Sequence, residues 1–334
     1  MLAAPPPPVP SIALRDSRLR VRHFRRVADL TGDELRELLT LAETLKTDPD
    51  AYDDALRGRV VACIFEKPST RTRVSFAAAV ARLGGEPVAL SPQELQLGRG
   101  ESIADTARSL SGYCDAIVIR TFAQDTVDEL ARWASVPVIN ALSDLHHPCQ
   151  ALADVLTLRE VFGELQGRRL VFMGDGGDNV AHSLLEAGAL IGLDVTVACP
   201  RAYAPEPLIL AKVWRLARST GADLTVAHDP GDAVRGADAV YADVWASMGE
   251  EAERAARARA LAPFQVDKHV MAAAAPTAVF LHCLPAKRGE EVTAGVIDGP
   301  QSVVWRQSAN RLPTEQALLL MLTRGANHLD RRRS

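Results

Sequence analysis

Three hydroxyl side chains and two arginines occupy five consecutive positions in the first third of the chain. They belong to the segment FEKPSTRTR, Phe65 to Arg73, which continues an apolar run, RVVACIF. Hydroxyl groups donate hydrogen bonds to phosphate oxygens, and the planar guanidinium group of arginine offers such an oxyanion two parallel donors. Each charge-assisted hydrogen bond contributes about 1.5–3 kcal/mol, so several of them hold a small dianion tightly. The segment therefore predicts an anion-binding site.

The position of this cluster between two secondary-structure elements favours the same prediction. The apolar run before it is typical of a buried strand, and RVSFAAAVARLGG after it predicts a helix that ends at Gly84 and Gly85. Residues 69–73 would then lie at a helix N-terminus, where unpaired backbone N–H groups and the helix dipole attract an anion. The alternative is an ordinary capped helix with a solvated, charged first turn.

Three further polar clusters follow predicted strands. SDLHHPCQALAD contains His147 and Gln150 around Pro148, DVWASMGEE contains Asp243, and HCLPAKRGEEV contains Cys283. Taken singly, each has a structural explanation, namely a helix cap, a loop residue or a buried free thiol. Open α/β sheets bind ligands outside the carboxyl ends of their strands. Four clusters in this position together therefore predict one binding cleft.

The composition is that of an ordinary globular protein. Hydrophobic residues make up 47% of the 334 residues and charged residues 24%, and the formal net charge of −4 argues against a nucleic-acid-binding protein. Five cysteines without a CxxC pair predict reduced, intracellular thiols. The sequence contains no HExxH motif and no apolar run of the roughly 20 residues that span a bilayer. We therefore expect no metal, no cofactor and no membrane segment.

Strand and helix patterns alternate along the chain, which predicts parallel sheets covered by helices on both faces. We expect an α/β protein with two doubly wound parallel-sheet domains and a C-terminal helix that packs back on the first domain. The predicted strands are RVVACIF, CDAIVIRTF, VPVINAL, RLVFMG, DVTVACP, DLTVAH, DAVYADVW, AVFLHCLP and SVVWR. The predicted helices include GDELRELLTLAETLK, TVDELARWA, PCQALADVLTLREVFG, NVAHSLLEAGALIG and NRLPTEQALLLMLTRG.

The polar clusters, in this order, resemble the motifs of the transcarbamylase family over most of the chain. The motifs STRTR, HPCQ, DVWASMGEE, HCLP and ANR carry the resemblance, which extends from Arg22 to Gly325. STRTR and HPCQ are similar to the motifs of carbamoyl phosphate-using enzymes in general, and SMG with HCLP resembles the branch that uses ornithine. The resemblance implies that carbamoyl phosphate and L-ornithine react to give L-citrulline and phosphate. Arginine biosynthesis and the reverse direction, in arginine breakdown, both stay open.

The resemblance also implies roles for individual residues. The catalytic residues would be Arg120, His147, Asp243 and Cys283. The residues that would bind carbamoyl phosphate are Ser69, Thr70, Arg71, Thr72, Gln96 (from a neighbouring subunit), Arg120, His147, Gln150, Cys283, Leu284 and Arg311. The residues that would bind ornithine are Asn179, Asp243, Ser247 and Met248.

The domain organisation is expected to match that of the family. We expect a mobile, proline-rich arm over 1–20, a carbamoyl phosphate-binding domain over 21–150, an ornithine-binding domain over 151–305 and a C-terminal helix over 306–330. An organelle transit peptide is disfavoured, because prolines and an aspartate would break its amphipathic helix. The resemblance implies a homotrimer, and further assembly of trimers stays open. Charge and cysteine usage favour the cytoplasm, and we expect neither nucleic acid nor a membrane as a partner.

The implied chemistry is acyl transfer to an amine. Arg120, His147 and the hydroxyl of Thr72 are suited to stabilise the oxyanion that develops on the carbamoyl group. The amine, with a pKa of about 10.4, has a neutral fraction of only about 10⁻³ to 10⁻⁴ at pH 7. Because a carboxylate favours the ammonium form, we expect Asp243 to orient ornithine. Desolvation and nearby arginines would lower the amine pKa, and departing phosphate would accept the proton.

Two loops depart from the family pattern. MGDGGDNVAHS carries one extra residue before Asn179, which leaves Asp178 as an alternative ligand. In LGRGES, Gly100 stands where some relatives have a lysine, and Arg99 is a candidate replacement.

Three other functions are compatible with parts of the sequence. MGDGGDN after a strand is compatible with a nucleotide-binding dehydrogenase, but its spacing is not GxGxxG. A non-catalytic phosphate sensor would use STRTR alone and would leave SMG and HCLP without a role. A sister transcarbamylase for putrescine or N-acetylornithine is the nearest alternative, since it would differ only in the acceptor.

Overall fold

The computed structural model describes residues 23–91, 100–246 and 253–330, with side chains up to residue 323. Several of the predictions concern residues outside these ranges. They are the proline-rich arm over 1–20 and the candidate site residues Gln96, Arg99, Ser247 and Met248.

The first sheet has four parallel strands in the order β2-β1-β3-β4. They are β1 (Val60–Phe65), β2 (Glu86–Leu90), β3 (Ala116–Arg120) and β4 (Val138–Leu142). Because side chains alternate between the two faces of a strand, successive residues of β1 enter two different apolar clusters. Val61 and Cys63 belong to one cluster, and Ala62 and Ile64 to the other. The strand is therefore apolar throughout, as expected for a sheet covered on both faces.

The second sheet has five parallel strands in the order β7-β6-β5-β8-β9. They are β5 (Arg169–Met173), β6 (Asp194–Ala198), β7 (Leu224–Ala227), β8 (Ala239–Ala242) and β9 (Val279–His282). In both sheets the strand order reverses beside the first strand, so that the chain winds outward in two directions. This topology confirms the α/β class with two doubly wound parallel sheets, and it creates a crevice at the carboxyl edge of each sheet.

Helices connect the strands and cover the sheets. In the first half they are α1 (Gly32–Thr47), α2 (Thr70–Arg82), α3 (Ile103–Ser111), α4 (Gln124–Trp133) and α5 (Pro148–Phe162). In the second half they are α6 (Asn179–Ile191), α7 (Pro207–Ala217), α8 (Pro230–Val234), α9 (Arg254–Leu261), α10 (Lys268–Ala273), α11 (Ala294–Ile297) and α12 (Val304–Asp330). Among the described residues, no helix is long and apolar enough to cross a membrane.

Helix α12 returns the chain from the second sheet to the first half of the molecule, as predicted. It packs against α5, α1 and α2. The prediction of a strand at SVVWR is wrong, because Ser302 forms only an isolated bridge with Phe280 and α12 begins at Val304. Val304 is fully buried in an apolar cluster with residues of the second sheet, so its branched side chain packs the start of α12 against that sheet.

Candidate active site

A cavity of about 580 Å³ opens between the carboxyl ends of the two sheets. Residues of both sheets and of α12 form its wall. They are Lys67, Pro68, Ser69, Thr70, Arg71, Thr72, Arg120, Leu142, His147, Asp178, Asn179, Asp243, Val244, Ala246, Arg254, Cys283, Leu284, Pro285, Lys287 and Arg311. All of the described candidate residues except Gln150 are in this wall. Four sequence clusters that are far apart in the chain therefore meet at one cavity.

The STRTR segment forms the N-terminus of α2, as its sequence predicts. Ser69 is the N-cap, and its hydroxyl accepts a hydrogen bond from the backbone N–H of Thr72 at 3.3 Å. The first-turn N–H groups of a helix have no partner within the helix, and here they lie at the cavity beside the side chain of Arg71. Burial lowers the pKa of Arg71, but a guanidinium group stays charged at neutral pH. This end of the cavity is therefore built to bind an anion.

Arg120 and His147 lie at the ends of neighbouring strands of the first sheet. Arg120 is the last residue of β3, and His147 caps α5 after β4. Burial, followed by the charge of Arg311, lowers the pKa of Arg120 to about 10 and the pKa of His147 well below its usual value. The arginine is therefore charged at pH 7 and the imidazole neutral. Within the described part of the chain, Arg120 Nε and His147 Nδ1 are buried without a hydrogen-bond partner, which is typical of groups that await a ligand.

Arg311 reaches the cavity from α12 and is almost completely buried. Its Nη1 donates to the side-chain oxygen of Gln150 at 3.0 Å, and its Nη2 lies 3.4 Å from the hydroxyl oxygen of Thr72. The Gln150 amide in turn donates to Asp154 at 2.7 Å. The structure thus places Gln150 behind Arg311 instead of on the cavity wall. In this arrangement the glutamine orients the arginine.

The second sheet contributes Asn179, Asp243 and Asp178 to the opposite wall. Asn179 is the first residue of α6, and Asp243 directly follows β8. The carboxylate of Asp178 caps α6 by accepting a hydrogen bond from the N–H of Val180 at 2.7 Å. Burial raises the pKa values of Asp178 and Asp243, and the charge of Asp243 raises that of Asp178 further. Two acidic groups at this end favour a ligand with a positively charged group.

Cys283 and Leu284 continue from β9 into the cavity wall. Burial, together with the negative charge of Asp243, raises the pKa of the Cys283 thiol well above its usual value, so the group is a neutral thiol at pH 7. Leu284 has a positive φ of 59°, which is uncommon for a residue other than glycine. Its backbone N–H donates to the Nδ1 of His282 at 2.9 Å. The neighbouring histidine therefore fixes the path of this loop.

Three potential metal ligands, Asp243, His282 and Cys283, have ligand atoms within 4.8 Å of one another. Both ring nitrogens of His282 are already used, since Nδ1 accepts from Leu284 and Nε2 lies 3.1 Å from a carboxylate oxygen of Glu291. A metal ion at this place would have to break one of these hydrogen bonds. We therefore assign Asp243 and Cys283 to the substrate cavity.

Three basic residues of the wall were not among the candidate residues. Lys67 stands just before the STRTR segment and Lys287 just after HCLP. Their proximity to those motifs could have identified them as residues of the cavity wall. Arg254 comes from α9, whose sequence shows no motif, and only the tertiary structure brings it to the cavity. Arg254 and Lys287 both pair with Glu290, so their positive charge in the wall is partly offset.

Comparison with known proteins defines the class. The family model "Aspartate/ornithine carbamoyltransferase, carbamoyl-P binding domain" matches residues 22–160, and the model "Aspartate/ornithine carbamoyltransferase, Asp/Orn binding domain" matches residues 166–322. The chain therefore belongs to the aspartate/ornithine carbamoyltransferase family, and it is a carbamoyltransferase.

Individual relatives belong to the ornithine branch. The chain is 55% identical over 302 residues to the ornithine carbamoyltransferase of Acidothermus cellulolyticus, covering 90% of this chain and 96% of the relative. It is 51% identical over 314 residues to that of Parasynechococcus marenigrum, covering 94% and 98%. Among solved structures, the ornithine carbamoyltransferase from Pyrococcus furiosus superposes with a TM-score of 0.88 at 47% identity, over 93% of this chain and 98% of that chain.

Proposed function

We propose that the protein transfers the carbamoyl group of carbamoyl phosphate to L-ornithine and releases L-citrulline and inorganic phosphate. One observation carries the proposal: Arg71, Arg120 and Arg311 lie in the same cavity wall as Asn179 and Asp243. An acyl phosphate and a cationic amino acid are the ligands that match these two groups of residues. The names of the relatives support ornithine as the acceptor.

The donor would bind at the first sheet. The N-terminus of α2 with Ser69, Thr70 and Thr72 offers backbone and hydroxyl donors to the phosphate, and Arg71 adds a charged fork. Arg120 and His147 would hold the carbamoyl oxygen, since both have buried polar atoms free for a ligand among the described residues.

The acceptor would bind at the second sheet. The carboxylate of Asp243 and the amide of Asn179 suit the ammonium and carboxylate groups of an amino acid, and Asp178 adds a second acidic group nearby. We keep Ser247 and Met248 in the proposed ornithine site, although they lie outside the described residues. The neutral thiol of Cys283 and the backbone of Leu284 would close the wall between acceptor and donor.

The reaction would proceed by attack of the neutral side-chain amine on the carbamoyl carbon. Negative charge grows on the carbamoyl oxygen, where the guanidinium group of Arg120 stabilises it. The bond between the carbamoyl carbon and the phosphate oxygen then breaks, and the proton that the amine loses passes to the departing phosphate. Arg71 and Arg311 would neutralise this dianion until it leaves.

We also propose the division of labour between domains and the assembly of the protein. Residues 21–150 would form the donor domain and 151–305 the acceptor domain, with the helix over 306–330 joined to the donor domain. A cytoplasmic homotrimer is part of the proposal, with Gln96, which lies outside the described ranges, reaching the donor site of a neighbouring subunit. Tyr113 and Val74 in the first half are large apolar side chains that are exposed in the single chain, and a subunit contact could cover them.

Citrulline formation from carbamoyl phosphate and ornithine tests the proposal directly. Putrescine and N-acetylornithine serve as alternative acceptors at the same concentrations. We expect a kcat/KM for ornithine at least about 100-fold above that of either alternative, because an unmatched buried charge or hydrogen-bonding group costs about 3 kcal/mol. Faster reaction with putrescine would establish the sister activity instead. No product with any of the three acceptors would contradict carbamoyl transfer to an amine.

A further inference from the structure

A buried carboxylate lies directly behind Arg311, the arginine of α12 that lines the cavity. Glu315 follows Arg311 by one helical turn and is completely buried. One of its oxygens, Oε1, accepts hydrogen bonds from the Nε of Arg311 at 3.0 Å and from the Nη2 of Arg311 at 2.6 Å. Glu315 is absent from the cavity wall, so it does not contact a ligand there directly.

The remaining hydrogen bonds of Arg311 leave its guanidinium group little freedom. A guanidinium group has five N–H donors. Its bonds to Glu315, to Gln150 and to Thr72 account for four of them among the described residues. One N–H on Nη1 is left to point toward a ligand. These three partners hold the guanidinium group in one orientation. Glu315 is the only one of them that carries a charge.

This pair also changes the charge that the cavity presents to an anion. Arg71 and Arg120 lie in the same wall as Arg311, and neither of them forms an ion pair with a carboxylate in the described part of the chain. Glu315 offsets the third positive charge at a distance of one hydrogen bond. A site with three uncompensated guanidinium groups would bind both carbamoyl phosphate and inorganic phosphate more tightly. Tighter binding of the product slows its release and therefore turnover.

We propose that Glu315 is a positioning residue for Arg311, which fixes the guanidinium group and offsets its charge so that inorganic phosphate can leave after the transfer. The role in phosphate release rests on the proposed function. The effect on phosphate affinity does not depend on which acceptor the protein uses. Burial raises the pKa of Glu315 to about 7, and the charge of Arg311, the hydroxyl of Ser75 and the N–H donors of Arg311 oppose that rise. At pH 8, which is above this value, most of the carboxylate is ionised.

The variant Glu315→Gln tests the proposal, because glutamine removes the charge, replaces Oε2 with an NH₂ group and keeps the oxygen that accepts from Arg311. At pH 8 we expect the Kd of inorganic phosphate, measured by titration calorimetry, to fall by about fivefold, since a nearby negative charge is lost. The KM for carbamoyl phosphate should fall in parallel and that for ornithine stay within twofold. Unchanged phosphate affinity together with a lower Tm would reduce Glu315 to a structural role and overturn the proposal.

Two further variants complete the experiment. Glu43→Gln is the matched control, because Glu43 pairs with Arg159 through two N–H···O contacts of 3.0 Å but lies away from the cavity. The phosphate affinity of Glu43→Gln should equal that of the unmodified protein. An increase in affinity similar to that of Glu315→Gln would overturn the proposal. Glu315→Asp keeps the charge, so we expect phosphate affinity within twofold and a reduced kcat from misorientation of Arg311. A fivefold gain in that variant would also overturn it.

The proposed function and this inference fail in different ways. Citrulline formation by the unmodified protein tests the function, whereas calorimetry with inorganic phosphate alone tests the effect of Glu315. A protein that made no citrulline but whose Glu315→Gln variant bound phosphate more tightly would retain the inference and lose the function. Citrulline formation with unchanged phosphate binding in the variant would retain the function and lose the inference.

Discussion

The side-chain amide of Asn179 donates a hydrogen bond to the backbone carbonyl of Ser143, 3.0 Å away. This contact joins the first residue of α6 to the loop after β4, and so links the second sheet to the first at the cavity. It also restricts the rotation of the amide, which lies in the cavity wall. One N–H of the amide is used by Ser143, so the side-chain oxygen and the second N–H of Asn179 are left for contacts with a substrate.

Replacing Asn179 should therefore affect the acceptor and spare the donor. For Asn179→Ala we expect the KM for ornithine to rise by about 10- to 100-fold, since a hydrogen bond to a charged group contributes about 1.5–3 kcal/mol. The KM for carbamoyl phosphate should stay within about twofold, and this serves as the internal control. Initial-rate kinetics with each substrate varied in turn make the measurement. An equal rise in both constants would show that the contact with Ser143 matters only for the fold.

The anion site offers a matched pair of arginines on one helix. Arg71 lines the cavity, whereas Arg73 is exposed, stacks near the ring of Phe65 and is absent from the wall. For Arg71→Ala we expect the KM for carbamoyl phosphate to rise about 100-fold or more, because a bidentate charged contact is lost. Arg73→Ala removes the same charge from the same turn and should change that KM by less than threefold. Equal effects of the two variants would mean that α2 attracts anions only by its overall charge.

The acceptor chemistry predicts the pH dependence of the reaction. The amine of free ornithine has a pKa of about 10.4, so below that value its neutral fraction increases about tenfold with each unit of pH increase. His147 does not interfere, because burial and the charge of Arg311 keep its pKa well below 6.5. We expect kcat/KM for ornithine to increase from pH 6 to pH 9. Steady-state rates in overlapping buffers test this, and a flat profile would exclude the neutral amine as the attacking form.

The sequence was sufficient for the parts of the site that follow from local patterns. An apolar run, a hydroxyl N-cap and a helical period placed Ser69–Thr72 correctly at a helix N-terminus, because each step depends on neighbours in the chain. The same holds for Asp243 and Cys283, which directly follow short buried strands. In a parallel α/β fold, such positions lie at the carboxyl edge of their own sheet.

The parts that could not be predicted depend on tertiary contacts. The edge strand β2, with the sequence EPVAL, is mostly exposed and contains a proline, so neither burial nor alternation identifies it. The run SVVWR has a strand-like composition, but its last residues form the first turn of α12, where Val304 is buried by packing. In that same helix Glu315 stands among apolar residues whose spacing indicates only a core. The i,i+4 spacing of Arg311 and Glu315 allows a pair on a helix. Only the tertiary structure shows that this pair is buried and that its arginine reaches the cavity.

Glu186 is a buried carboxylate outside the cavity whose partners do not fully satisfy it. It lies on α6, and its Oε2 accepts a hydrogen bond from the backbone N–H of Ala28 at 3.1 Å. The Nζ of Lys212 is 4.0 Å from Oε1, and within the described residues Oε1 has no hydrogen-bond partner. Burial raises the pKa of Glu186 from 4.5 to about 7, and the N–H of Ala28 and the charge of Lys212 oppose the rise.

This raised pKa makes Glu186 a source of pH-dependent stability. The folded protein binds the proton more tightly than the unfolded chain, so the stabilisation is fully present below about pH 4.5 and is lost as the pH rises through about 7. Glu186→Gln cannot ionise and keeps the acceptor for Ala28. We therefore expect its Tm, relative to the unmodified protein, to increase by about 2–4 °C between pH 5 and pH 8, which corresponds to about 1 kcal/mol. Glu129→Gln, at an exposed position of α4, is the control and should show no such trend. Calorimetric scans at both pH values decide the point, and a relative Tm that stays constant or declines would mean that Glu186 is already ionised without cost in the folded protein.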